Sequence, residues 1–276
     1  MQIDNYDLNK LDIPYDEFSK TRWLKRSDFG IFKDAIWTVY QKKVALLFPK
    51  EKNQFSKDNN RLSKLKEIKH DNIIEFHGTT YDLENDIKML VLQHSTDKSL
   101  KEHLIQNSQN IEPADKLNIA KDIVCGLKYL HDEGITHGDL HPKSILIDNK
   151  RALITNPIIF VAINRSSSVD IMRDKIPYQD PRLLRSTGDL PDKESDVYSL
   201  GFILWRVFSN GEPFSNYEKN LINLVNEIHQ NKREKPTVGT PKKYISVYEK
   251  CWSSNLNERP SIKQVHVELK KIQSKH

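Results

Sequence analysis

Among the 276 residues, the side chains best suited to chemistry gather in one octapeptide, His137-Gly138-Asp139-Leu140-His141-Pro142-Lys143-Ser144. A carboxylate set among imidazoles, an ammonium and a hydroxyl has two uses. Asp139 can orient a hydroxyl for proton transfer, or it can accept hydrogen bonds that organise its own loop. Both readings stand at this point. Few other constellations compete: no CxxC or HExxH spacing occurs, so no metal site of those kinds is offered. Cys125 and Cys251 are the only cysteines, each inside an apolar stretch of helical character. That context predicts buried free thiols in a reducing compartment.

These residues need elements to position them. Charged residues make up 29% and the hydrophobic set 37%, a globular balance rather than a disordered one. The formal net charge is +5, but the basic residues are dispersed and only short pairs such as Lys42-Lys43 and Lys242-Lys243 occur. Solvated surface charge explains them better than a nucleic-acid patch. Met1-Gln2-Ile3-Asp4-Asn5 has neither a basic n-region nor an apolar run, which argues against a signal peptide. Leu200 to Phe208, the most apolar stretch, is too short for a bilayer. A cytoplasmic protein is expected, with no membrane partner.

Short runs rich in β-branched and aromatic residues predict strands over Asp28–Thr38, Lys43–Phe48, Ile73–Thr80 and Ile87–Gln93. One helix, Asn59 to Ile68, lies among them. From residue 98 helices dominate. Pro113 to Glu133 has the clearest period, with Leu117, Ala120, Ile123, Val124, Leu127 and Leu130 on one face, Pro113 in the first turn and Gly134 at the stop. Ile145–Ile147 and Ala152–Thr155 flank Asp148-Asn149-Lys150 as a small hairpin. Residues 156–181 read as a long irregular segment. Helices resume at Asp196–Ser209, Leu221–Gln230, Tyr244–Cys251 and Ser261–Ile272.

The octapeptide resembles the catalytic loop of protein kinases, H-R-D-L-x-x-x-N. Other pieces follow in that family's order. Val44-Ala45-Leu46-Leu47 resembles V-A-I-K, and His70-Asp71-Asn72-Ile73-Ile74 resembles H-P-N-I-V. Val91-Leu92-Gln93-His94 is similar to the hinge, Thr155-Asn156-Pro157-Ile158 to the D-F-G segment, and Tyr178-Gln179-Asp180-Pro181-Arg182 to the A-P-E region. Asp196-Val197-Tyr198-Ser199-Leu200-Gly201, and Cys251-Trp252 with Glu258-Arg259-Pro260, look most like the tyrosine-kinase-like group. The resemblance implies an α+β, bilobal protein-kinase fold. It would have an N-terminal extension over 1–20, a small β-rich N-lobe over 21–93, a hinge over 93–97 and a larger helical C-lobe over 98–272.

Phosphoryl transfer depends on positioning and charge compensation, and here the matching positions depart from the family. The glycine-rich loop reads Leu24-Lys25-Arg26-Ser27-Asp28-Phe29-Gly30, with Gly30 its one glycine. The phosphate-holding lysine is Leu47, and its glutamate partner is Arg61. Strand alternation turns Lys33 away from the nucleotide side, leaving Lys25, Arg26 and Arg61 as substitute cations. The magnesium-holding aspartate and asparagine are Asn156 and Ser144, neutral where Mg²⁺ prefers carboxylate. Asp139, the family's catalytic base, is kept. The resemblance places an adenine pocket at Leu24, Phe32, Ala45, Leu92, Gln93, His94 and Leu146. Arg259 should lose its A-P-E glutamate to Arg182 and turn to Asp180, Glu258 or another acid. Ser166-Ser167-Ser168 falls in the activation segment, either as a phosphorylation site or as plain loop.

Removing one preorganised electrostatic group slows catalysis about 10²–10³-fold. The expectation is therefore a catalytically impaired pseudokinase without metal or other cofactor, acting as a signalling scaffold or allosteric partner of proteins, including a related active kinase. The alternative is an atypical serine/threonine kinase that uses Asp139 with ATP and Mg²⁺. A decayed duplicate without a selected role is the third reading.

Overall fold

The computed structural model describes residues 11–27, 30–49, 59–95, 98–107, 110–155, 174–185, 189–209, 211–217 and 220–272; the side chains of 24–27, 49 and 59–61 fall outside that description. The chain divides into two units, with the boundary between Ser95 and Thr96.

The first unit is built on a six-stranded sheet. Its strands are β1 (Asp12–Ile13), β2 (Phe18–Ser27), β3 (Gly30–Trp37), β4 (Lys42–Pro49), β5 (Phe76–Asp82) and β6 (Ile87–Gln93), in the order β1-β5-β6-β4-β3-β2. Val44, Ala45, Leu46, Leu47 and Phe48 are all buried, so β4 is covered on both faces and reads as a continuous apolar run rather than an alternating one. One face of the sheet carries a cluster of Ile13, Phe18, Ala35, Trp37, Val44, Leu46, Phe48, Met89 and Val91. α1 (Asn59–Glu67) contributes buried Leu62 and Leu65, with Ile68 just beyond its end. β2 is the strand that patterning alone does not predict. Its lysines, arginines and serines carry no alternation, and two register irregularities bend it against β3. Part of the stretch assigned to an extension, from Asp12 onward, lies in this sheet.

β2 and β3 meet with Ser27 opposite Gly30. Gly30 has φ +147°, and a Cβ there would stand 2.0 Å from the Phe48 carbonyl oxygen. This glycine therefore serves close backbone packing.

The second unit is helical, with α2 (Leu100–Asn107), α3 (Pro113–Asp132), α4 (Pro181–Arg185), α5 (Lys193–Phe208), α6 (Leu221–His229), α7 (Lys242–Cys251) and α8 (Ile262–Lys270). A hairpin of β7 (Ile145–Asp148) and β8 (Arg151–Ile154) turns through Asn149 and Lys150, both at positive φ, as a two-residue turn requires. α3 starts on Pro113 and gives way at Gly134, which has φ +74°. α5 is buried from Ser195 to Phe208, its first turn fixed by reciprocal bonds between Asp192 and Ser195. Trp252 and Cys251 are core residues, and burial pushes the Cys251 thiol up to about 12. Cys125 is only half-buried, so the expectation of two buried thiols holds for one of them; both are free. Among the described residues no helix is long and apolar enough to cross a membrane.

Candidate active site

In the first unit, backbone register sorts the candidate residues by face. Phe32 lies opposite Leu47, Asp34 opposite Ala45, and Ala45 opposite Leu92, so these five share one side of the sheet. Leu47 is completely buried there. Lys33 points the other way, as alternation predicts, with its ammonium 4.4 Å from the Trp23 ring centroid and 4.5 Å from that of Phe48. It is committed to a cation–π contact. Gln93 takes the opposite face from Leu92, and its side-chain oxygen accepts from the Glu75 backbone N–H at 3.2 Å. His94 reaches back to Asp34, Nε2 to Oδ1 at 3.1 Å. Asp34 thus places a carboxylate on the Phe32–Ala45 face. Its spacing two residues from Phe32 was a usable signal, since period two puts both on one side. The side chains of Leu24 and Arg61 lie outside the described residues.

The second unit holds the catalytic-loop counterpart. Asp196, almost fully buried at the start of α5, accepts from the backbone N–H of His137 at 2.7 Å and of Gly138 at 2.8 Å; the His131 ring lies 2.8 Å away. These bonds hold the loop. His137 is fully buried, its ring nitrogen 3.2 Å from the Thr155 carbonyl. Leu146 sits on β7 opposite Leu153.

Asp139 is enclosed by charge. Lys175 donates to its Oδ2 at 2.5 Å, and His141 Nε2 lies 3.5 Å from the same oxygen. Burial alone would raise the Asp139 carboxyl, but His141 and Lys175 outweigh it and hold the group well below the usual carboxylate range. Burial pushes the His141 imidazole down, against the opposing pull of the Asp139 carboxylate. Next to this pair, Lys101 and Lys143 share Asp174 at 2.8 and 2.9 Å. Lys175 was not singled out from the sequence, because residues 156–181 have no periodicity that would place it.

Ser144, at the asparagine position, is fully buried. Its hydroxyl accepts from the His141 backbone N–H at 3.0 Å and donates to the His141 carbonyl at 2.8 Å, a capping arrangement around Pro142–Ser144. Asn156 and Ser166-Ser167-Ser168 lie outside the described residues. Among the described residues no group of three or more His, Cys, Asp or Glu side chains is arranged to hold a metal. A magnesium-bound triphosphate needs cations for its phosphates and carboxylates for its metal. Among the described residues, Leu47 offers no cation and the Ser144 hydroxyl is already engaged by His141, so neither side chain fits that group.

The A-P-E counterpart is rebuilt with opposite charge. Arg259 donates to Asp180 rather than to Glu258. Arg182 donates to the same Asp180 at 2.9 Å and to Asp192 at 2.9 Å. Two arginines and two aspartates thus replace a single glutamate–arginine pair.

The fold and these loops define a protein kinase domain. The family described as "Protein tyrosine and serine/threonine kinase" matches residues 18–269, and the chain belongs to it. The chain is 27% identical over 75% of its length to the dual specificity protein kinase zakA of Dictyostelium discoideum. It is 24% identical over 96% of its length to the dual specificity protein kinase splA of the same organism. It is 26% identical over 70% of its length to the human receptor-interacting serine/threonine-protein kinase 1. These matches span 29%, 12% and 31% of the respective relatives.

Proposed function

We propose that this chain is a pseudokinase of the tyrosine-kinase-like group, a catalytically impaired domain that acts through protein contacts. A signalling scaffold or allosteric partner of a related active kinase is the role that suits it. The observation that carries this reading is Leu47, buried in the sheet where a kinase keeps the cation for its phosphates. Two features of the second unit support it: the Ser144 hydroxyl is engaged by His141, and the Asp139 carboxylate by Lys175. We place the protein in the cytoplasm, where free thiols persist, with proteins rather than nucleic acid or membrane as partners.

The second reading, an atypical serine/threonine kinase, is favoured by the retained, ionised Asp139 and by relatives named as kinases. Thermal-shift titration of the purified chain with ATP, with and without Mg²⁺, separates the two when paired with a phosphate-transfer assay. The pseudokinase reading expects no magnesium-dependent rise in Tm and no transfer above that of Asp139→Ala. A metal-dependent rise together with transfer abolished by Asp139→Ala overturns it.

A further inference from the structure

The residues ahead of the β2–β3 hairpin, which the sequence leaves without a role, are fastened to the first unit at three points. β1 runs parallel to β5, with Asp12 opposite Thr79 and Ile13 opposite Thr80. The Thr79 N–H donates to the Leu11 carbonyl at 2.7 Å and its hydroxyl to the Asp12 carboxylate, while Ile13 joins the apolar cluster of Trp37, Val44 and Met89. At the other end, the Glu17 carbonyl accepts from the Thr38 N–H at 2.8 Å, and its carboxylate accepts from the Trp37 indole N–H at 2.8 Å.

Between these points lies Tyr15, in a short 3-10 turn over Tyr15–Glu17. Its ring packs on the same cluster and its hydroxyl donates to the Asp82 carboxylate. Asp82 is itself buried and already accepts from the backbone N–H groups of Glu84 and Asn85 and from the Asn85 side chain. Glu84 also acts on the hydroxyl, and Asp16 and Glu17 follow in sequence. The nearby Lys88 is held by Asp12 at 3.5 Å. Tyr15 is half-buried between exposed Pro14 and Asp16. It stands in an acidic setting.

We propose that Tyr15 is a phosphorylation site, and that phosphate on it releases residues 11–17 from the sheet. A tyrosine-directed protein kinase acting in trans supplies the group. The bond from Tyr15 Oη to the γ-phosphorus of ATP forms as the bond to the β–γ bridging oxygen breaks. ADP leaves, and the phenolic proton passes to the acting kinase's base. The product carries nearly two negative charges and no hydrogen to donate. Asp82 loses its donor and faces a phosphate dianion, with Glu84 adding to the repulsion. Burial, followed by Asp82 and Glu84, already raises the Tyr15 hydroxyl above its ordinary value, so this surrounding resists negative charge on that oxygen. Release uncovers the apolar side chains around Ile13 and the free edge of β5, a surface suited to a protein partner. The inference holds whether or not the chain transfers phosphate itself.

The test treats the full chain with a recombinant tyrosine kinase and Mg·ATP, locates phosphate by mass spectrometry, and follows amide hydrogen exchange. Phosphate is expected on Tyr15 and absent from that position in Tyr15→Phe. Exchange at the Thr79 and Thr38 amides should quicken about tenfold or more, with β4 and β6 amides unchanged. Glu84→Gln should restore part of the protection. No phosphate at Tyr15 overturns the assignment as a site. Phosphorylated Tyr15 with unchanged Thr79 and Thr38 protection, or protection indifferent to Glu84→Gln, overturns the electrostatic release.

Discussion

Replacing Asp139 by asparagine keeps the side chain's size and removes its charge, which asks whether this carboxylate fastens a loop or serves chemistry. Asp139 and Lys175 are 15% and 14% exposed, so the pair is mostly withdrawn from water. Removing one partner of a buried pair costs about 3–5 kcal/mol, and the residual exposure here argues for about 3. At roughly 2–4 °C per kcal/mol for a chain of this size, Tm should fall by about 6–12 °C. Differential scanning fluorimetry of Asp139→Asn, Lys175→Met and the double variant reads this directly. Lys175→Met should cost less, because His141, whose imidazole burial now holds low, can take up a proton once the ammonium is gone. The double variant should cost less than the sum. The pH dependence carries a definite sign. The folded Asp139 carboxyl lies well below its unfolded value, so its stabilisation is complete above the ordinary carboxylate pKa of about 3.9. It is lost as pH falls below that point toward the folded value. The wild-type Tm should therefore drop more steeply through that acid range than that of Asp139→Asn. A Tm for Asp139→Asn within about 1 °C of wild type, with superimposable acid limbs, refutes the fastening, since it leaves under about 0.5 kcal/mol for the pair.

Three further outcomes follow from the packing. Gly78 has φ +150°, and a Cβ there would lie 2.5 Å from the Leu11 carbonyl oxygen; Gly78→Ala should detach β1 and quicken Thr79 exchange while β4 and β6 keep their protection. Leu47→Lys places an ammonium at a fully buried site with arginine, not glutamate, at the partner position; chemical denaturation should show a loss of at least about 2 kcal/mol, and ATP titration should show no gain of binding. Asp180→Asn leaves both Arg259 and Arg182 short of their shared acid in a site where Asp180 is fully buried; a loss of about 3–5 kcal/mol is expected by denaturant titration.

The helical unit was more legible in the sequence than the sheet. Leu117, Ala120, Ile123, Val124 and Leu127 repeat at helical spacing because α3 buries one stripe. β2 was missed because its residues answer to β3 through backbone pairing while many side chains stay in solvent, so no apolar period records it. The missing charges at Leu47 and Ser144 were readable from type alone. The pairs around the retained groups were not: Lys175 meets Asp139 across 36 residues, and His94 meets Asp34 across 60. Long-range pairs of this kind leave no local trace, since Lys175 and Asp34 look like ordinary surface charges until the chain is folded.

The four-membered cluster of Arg259, Asp180, Arg182 and Asp192 constrains how this domain can change. A single step back to the family's pattern, Arg182→Glu, would set a third carboxylate beside Asp180 and Asp192 and remove the guanidinium that neutralises them. Asp180→Ala alone would leave Arg259 facing Arg182. Restoring the family's pattern without stranding a charge therefore takes coordinated exchange at both positions, so the inverted arrangement resists single substitutions.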